Sequence, residues 1–267
     1  MNAVHQLLAT AALVATLAFG AAPAVAGRSC EARLSDASAV VRGLDLAERT
    51  ARALDASGAE VVLLARAGQD LSKYGLRWSH LGLAYKETTD TGTRWRVVHK
   101  LNHCGSSRAD LWRQGLGEFF LDDPHEFRVG YAVLSAELQN GLHALLHDNF
   151  NVQRLHNPAY NMVAYPWAQR YQQSNQWVIE TLAMAAEPTV RSREQAQAWL
   201  RFKGYEPTTL RLGAMTRLGA RMSAANVAFD DHPNEKRFSD RIETVTADSV
   251  FQWLQRAGLA APMQVQR

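Results

Sequence analysis

The sequence predicts an α+β fold, an antiparallel sheet packed with helices, on three observations. Short apolar runs at residues 60–65, 77–85 and 94–101 have the length of strands, and the polar turn Asp90-Thr91-Gly92-Thr93 joins the last two as a hairpin. Longer segments with apolar residues three and four apart flank these runs. No internal repeat, low-complexity tract or composition break serves as a linker beyond the first 26 residues, so a single domain over 27–267 is expected.

Residues 1–26 hold no Lys, Arg, Asp or Glu. Leu7 through Phe19 is apolar, Gly20 and Pro23 interrupt it, and Ala24-Val25-Ala26 supplies the small-x-small pattern read by a signal peptidase. The apolar core falls short of the roughly 20 residues that a membrane span needs. The expectation is a cleaved signal peptide over 1–26 and a periplasmic or secreted domain with no stable membrane span after processing. A net charge of +3 and a pI near 9.0 come from arginines spread along the chain without a basic block, a pattern that argues against a nucleic-acid partner.

In chain order, Val40, Val41, Leu44, Ala47, Ala51 and Leu54 mark a helix over 34–56 that Ser57-Gly58 ends. Three strands follow, at 60–65, 77–85 and 94–101. Helices are expected at 109–115, 135–147, 174–186, 192–203 and 209–222. Strands are expected at 226–230 and 241–246, and a closing helix at 248–257 with Asp248 as its cap. Cys30 and Cys104 are the only cysteines, and in an oxidising compartment the pair reads first as a disulfide. The competing reading makes Cys104 a reactive thiol beside His103.

Chemistry concentrates in three segments. Trp78-Ser79-His80-Leu81-Gly82 puts a histidine at the start of an apolar strand, and Val97-Val98-His99 puts another inside the next strand. Gln173-Ser174-Asn175-Gln176-Trp177-Val178 is a polar turn feeding a helix. An activated nucleophile needs a base within hydrogen-bond reach and a third group to orient the base. Helix-start N–H groups can then stabilise an oxyanion. In this reading Ser174 is the nucleophile, His80 the base and His99 the orienter.

The order of these segments resembles the circularly permuted papain-like proteins of the NlpC/P60 and lecithin:retinol acyltransferase type. The resemblance implies a papain-like antiparallel sheet packed with helices and a cleft for amidase, peptidase or acyltransferase chemistry on cell-envelope peptide, glycan or lipid, with no cofactor and no metal. Serine stands where those families carry cysteine, and its hydroxyl is far less acidic than a thiol of pKa about 8.5. The alternative is therefore a non-catalytic binding or assembly module with a degenerate site. Over nearly the whole chain after residue 26 the sequence is similar to the bacterial secreted family of domain of unknown function 2145. Leu101-Asn102-His103-Cys104-Gly105, Ala164-Tyr165-Pro166-Trp167 and Asp230-Asp231-His232-Pro233 carry that similarity.

Each candidate also has a structural reading. Ser174 is an ordinary N-cap residue, with Asn175 as the other choice. His99 can sit on the polar face of a strand, and His80 in the core. His143 and His147 have a metal-ligand spacing, but Ala144 stands where a zinc-protease helix carries Glu. Asp230-Asp231-His232 offers metal ligands on a loop, where Asp also serves turns. Trp199, Phe202 and Tyr205, three apart, read as core packing or as the wall of a groove.

Overall fold

Every residue of β1 (Val61–Ala67) is buried, which places it at the centre of a sheet. The computed structural model describes residues 36–122 and 124–267; the expected signal peptide and Cys30 lie outside them. β1 pairs with β2 (His80–Thr89) on one side and β5 (Glu126–Val133) on the other. β3 (Gly92–Asn102) and β4 (Ala109–Gly115) extend one edge and β8 (Gln264–Gln266) the other. The order is β4-β3-β2-β1-β5-β8, with every pairing antiparallel.

Alternation along the strands gives the sheet two buried faces. Val62, Leu64, Ala84 and Val97 pack under α1 (Ala37–Ala56) and α2 (Leu116–Leu121) through Leu46, Leu54, Phe119 and Phe120. Leu63, Leu81, Leu83 and Val98 pack under α3 (Ala136–His147) and α5 (Ser174–Ala186), with α6 (Arg193–Phe202) and α9 (Ala247–Arg256) behind. Burying one such leucine contributes about 1.5–3 kcal/mol. The short α4 (Asn149–Gln153) follows α3. Beside this body, β6 (Thr208–Arg211) and β7 (Arg241–Thr244) form a ribbon around Leu210, Phe229 and Ile242. The same region carries α7 (Ala214–Ser223) and α8 (Asn234–Arg237). Among the described residues no helix is long and apolar enough to cross a membrane.

The α+β architecture and the hairpin are as expected; five local readings are corrected. Residues 109–115 form β4, because the open edge of β3 supplies a ladder from Arg96↔Gly115 to Asn102↔Ala109. The expected helix over 209–222 is β6 followed by α7, broken at Leu212-Gly213, and 226–230 is not a strand. Thr246, not Asp248, caps α9; Asp248 instead accepts from the backbone N–H groups of Arg77 and Trp78. Phe202 is exposed, so the three-residue spacing from Trp199 does not carry it into the core.

Candidate functional site

The β2–β3 ladder runs from Thr89↔Gly92 to Leu83↔Val98, and the strands separate beyond it toward His80. In the opening, Asn175 Oδ1 accepts from the Leu81 N–H at 2.9 Å, replacing the ladder partner that β3 does not supply. The helix start is thus wedged against β2 by a side-chain amide.

His80 and His99 meet as the sequence suggests. His80 Nε2 lies 2.9 Å from His99 Nδ1, and His99 Nε2 lies 2.8 Å from Gln114 Oε1 on β4. An amide oxygen only accepts, so His99 carries its proton on Nε2 and receives one from His80 Nε2. Both rings point to the α2 face, where Phe119 packs 5.2 Å from the His99 ring and 6.0 Å from the His80 ring. The strand comes this close because residue 82 is glycine: a Cβ there would stand 2.5 Å from Val97 and 3.2 Å from Phe119. Arg66 covers Phe119 and donates to its carbonyl oxygen and to Asp122. Burial, reinforced by the Arg66 charge, lowers the His99 pKa to about 4 against the opposing bond from Gln114. His99 is therefore a neutral imidazole at physiological pH.

Ser174 is carried by α5, which packs on the other face of the sheet. Gln173, not Ser174, caps α5: its Oε1 accepts from the Asn175 N–H at 3.0 Å, and its Nε2 donates to Thr244 Oγ1 and the Val245 carbonyl. Ser174 becomes the first helical residue and is buried beside Tyr160. The body of α5 packs through Trp177, Val178 and Leu182 on the face opposite the imidazoles. The structure brings together His80 and His99 and sets Ser174 on the helix of the other face.

A second polar cluster was not singled out in the sequence. Lys100 follows His99, points to the α5 face and is fully buried. Its Nζ donates to the Asn157 carbonyl at 2.6 Å and to Gln172 Oε1 at 2.8 Å. Gln172 Nε2 passes the contact to Glu180 at 2.6 Å, and Glu180 also accepts from Arg193 at 2.8 Å and Gln197 at 2.8 Å. Burial and then the Arg193 charge lower the Lys100 pKa to about 7, opposed by Glu180. The available signal was a lysine inside the buried run Val97-Val98-His99-Lys100-Leu101.

The remaining candidates settle into structural roles. Asp231 accepts from the Tyr165 N–H at 2.8 Å and pairs with His232 Nδ1 at 3.0 Å, while His232 Nε2 donates to the Glu243 carbonyl at 2.8 Å. Asp230 pairs with Arg170. His143 and His147 meet edge to face with centroids 4.4 Å apart, and His147 meets the Tyr85 ring. Among the described residues no group of three or more His, Cys, Asp or Glu is placed to hold a metal ion. Cys104 lies in the turn after β3, and its expected partner Cys30 is outside the described residues.

A family model described as an uncharacterized protein conserved in bacteria, DUF2145, matches residues 53–254. No curated protein and no solved structure matches the chain.

Proposed function

For a chain that belongs to the DUF2145 family, we propose the role of an exported binding or assembly module whose buried histidine pair is a degenerate papain-like site. The observation that carries this reading is the start of α5. The residue it presents to the histidine-bearing strand is Asn175, whose carboxamide is bound to the Leu81 N–H and cannot act as a nucleophile. Ser174, the hydroxyl the chemistry would need, is buried beside Tyr160 on a helix that packs on the opposite face. Its ligand is a cell-envelope peptide, glycan or lipid, and export follows from the pattern of residues 1–26.

A second reading, a Ser174/His80/His99 amidase, peptidase or acyltransferase, is favoured by one observation. The His80–His99–Gln114 relay has the spacing of a base held by an orienting group, at 2.9 and 2.8 Å. One experiment separates the two. A fluorophosphonate probe is expected to leave the native protein unlabelled. Stoichiometric labelling that disappears in both Ser174→Ala and His80→Ala would establish the hydrolase and remove the binding-module reading.

A further inference from the structure

α7 contributes no buried residue to the fold. Its inner side is Arg217, which donates to the Leu212 carbonyl and Asp240, and Ala220, which packs against the Leu210–Ile242 cluster. Its outer side carries Met215, Leu218 and Met222 at positions i, i+3 and i+7, exposed by 80%, 52% and 81%. Phe238, after α8, is likewise exposed, by 72%. Contiguous apolar side chains of this kind mark an interaction surface.

Charge decides the occupant. From Pro207 to Phe229 the chain carries Arg211, Arg217 and Arg221 and no Asp or Glu. Arg221 is exposed on the same helix, and Arg211 and Arg241 are exposed where they pair at the end of the β6–β7 ribbon. A second copy of α7 laid on the first would oppose arginine to arginine with no acid on either helix to compensate. An anionic bilayer surface offers what the patch lacks: negative headgroups for the guanidinium rim and an acyl boundary for the methionines and leucine. We propose that the outer face of α7 docks peripherally on a membrane surface rich in anionic lipid. The inference is independent of the histidine pair and of either reading of that site.

The test uses protein recovered after export, with its amino terminus determined, so that every variant shares the same start. Sedimentation with vesicles of phosphatidylglycerol and phosphatidylcholine is compared with phosphatidylcholine alone. The native protein should partition to the anionic vesicles and leave them as salt is raised. M215S/L218S/M222S should weaken that partition by at least about tenfold, since three apolar side chains no longer enter the interface. Arg211→Glu with Arg221→Glu should weaken it too, with melting midpoints unchanged in both variants because every substituted side chain is exposed. Equal sedimentation of native and variant protein, or equal binding to neutral vesicles, overturns the proposal. So does a native dimer in solution that becomes a monomer in M215S/L218S/M222S.

Discussion

His99 and Lys100 are consecutive residues of β3, and the pleat sends them to opposite faces of one sheet. Both are fully buried, both have lowered pKa values, and both end in a hydrogen-bonded chain. On the α2 face the chain is His80, His99 and Gln114, and His99 is neutral with a pKa near 4. On the α5 face it is Lys100, Gln172, Glu180 and Arg193, and Lys100 sits near half-protonation at neutral pH. The difference lies in what each group meets. An imidazole can hand one proton along a line of acceptors and stay uncharged, so burial fixes its state. An ammonium has only donors, and two cations here share the one carboxylate of Glu180, so that face holds a charge balance the other does not need.

The comparison breaks most visibly at Glu180. Glu180→Gln leaves Arg193 buried without its carboxylate and removes the attraction that favours protonated Lys100. The expected loss is about 3–5 kcal/mol in urea unfolding, the usual cost of deleting one partner of a buried ion pair. A loss under about 1 kcal/mol would show that water replaces the carboxylate and that the network is not closed.

Acid should then open the other face. The folded pKa of His99 lies near 4 and the unfolded value near 6.5, so the unfolded chain binds more protons between them. The stability that His99 contributes is complete above pH 6.5 and disappears as pH falls through 4, a loss on the order of 3 kcal/mol. His156, also lowered to about 4 by burial and then by Lys100, titrates in the same window. His99→Gln should flatten the slope of melting temperature against pH between about 4 and 6.5. An unchanged slope would show that His99 is not the group responsible. Lys100, by the same sign, gains stability as pH rises above 7 toward 10.5.

How far the sequence led can be judged on the same strands. The pairing of His80 with His99 was readable because two short apolar runs around Asp90-Thr91-Gly92-Thr93 leave little choice but a hairpin, and alternation then puts both rings on one face. β4 was not readable, because seven residues with leucine, arginine and glutamine suit a helix equally well, and only the open edge of β3 decides. β5 was hidden by Gly130, a poor strand residue that is needed because a Cβ there would lie 2.8 Å from the Trp78 ring. Lys100 shows in the sequence only as a charge on a strand. Its burial depends on Asn157 and Gln172, more than fifty residues away in the chain.

A finer cut distinguishes two neighbours at the start of α5. Asn175→Ala removes the acceptor of the Leu81 N–H and leaves that donor buried between separated strands, which should cost about 1–3 kcal/mol. Asn175→Asp, which keeps the acceptor, should recover more stability above pH 5 than below it if the carboxylate is what the Leu81 N–H meets. Equal loss in Ala and Asp would mean that the amide's second contact, to the Val245 carbonyl, is the one that holds the wedge.

The smallest effect is expected at Ser174, and it bears most directly on the site. Had Ser174 capped α5, its removal would cost about 1 kcal/mol through an orphaned helix N–H. Gln173 does that work, so Ser174→Ala removes no cap, only a hydroxyl buried beside Tyr160. The expected loss is then at most about 0.5–1.5 kcal/mol, the net worth of one hydrogen bond. The informative measurement is the cycle formed by Ser174→Ala, Tyr160→Phe and the double variant. If the two hydroxyls serve each other, the double variant should be no less stable than either single one, because no donor or acceptor is left stranded. Additive losses would mean that Ser174 has a further partner, and an imidazole across the opened strands is the group that the hydrolase reading requires it to be.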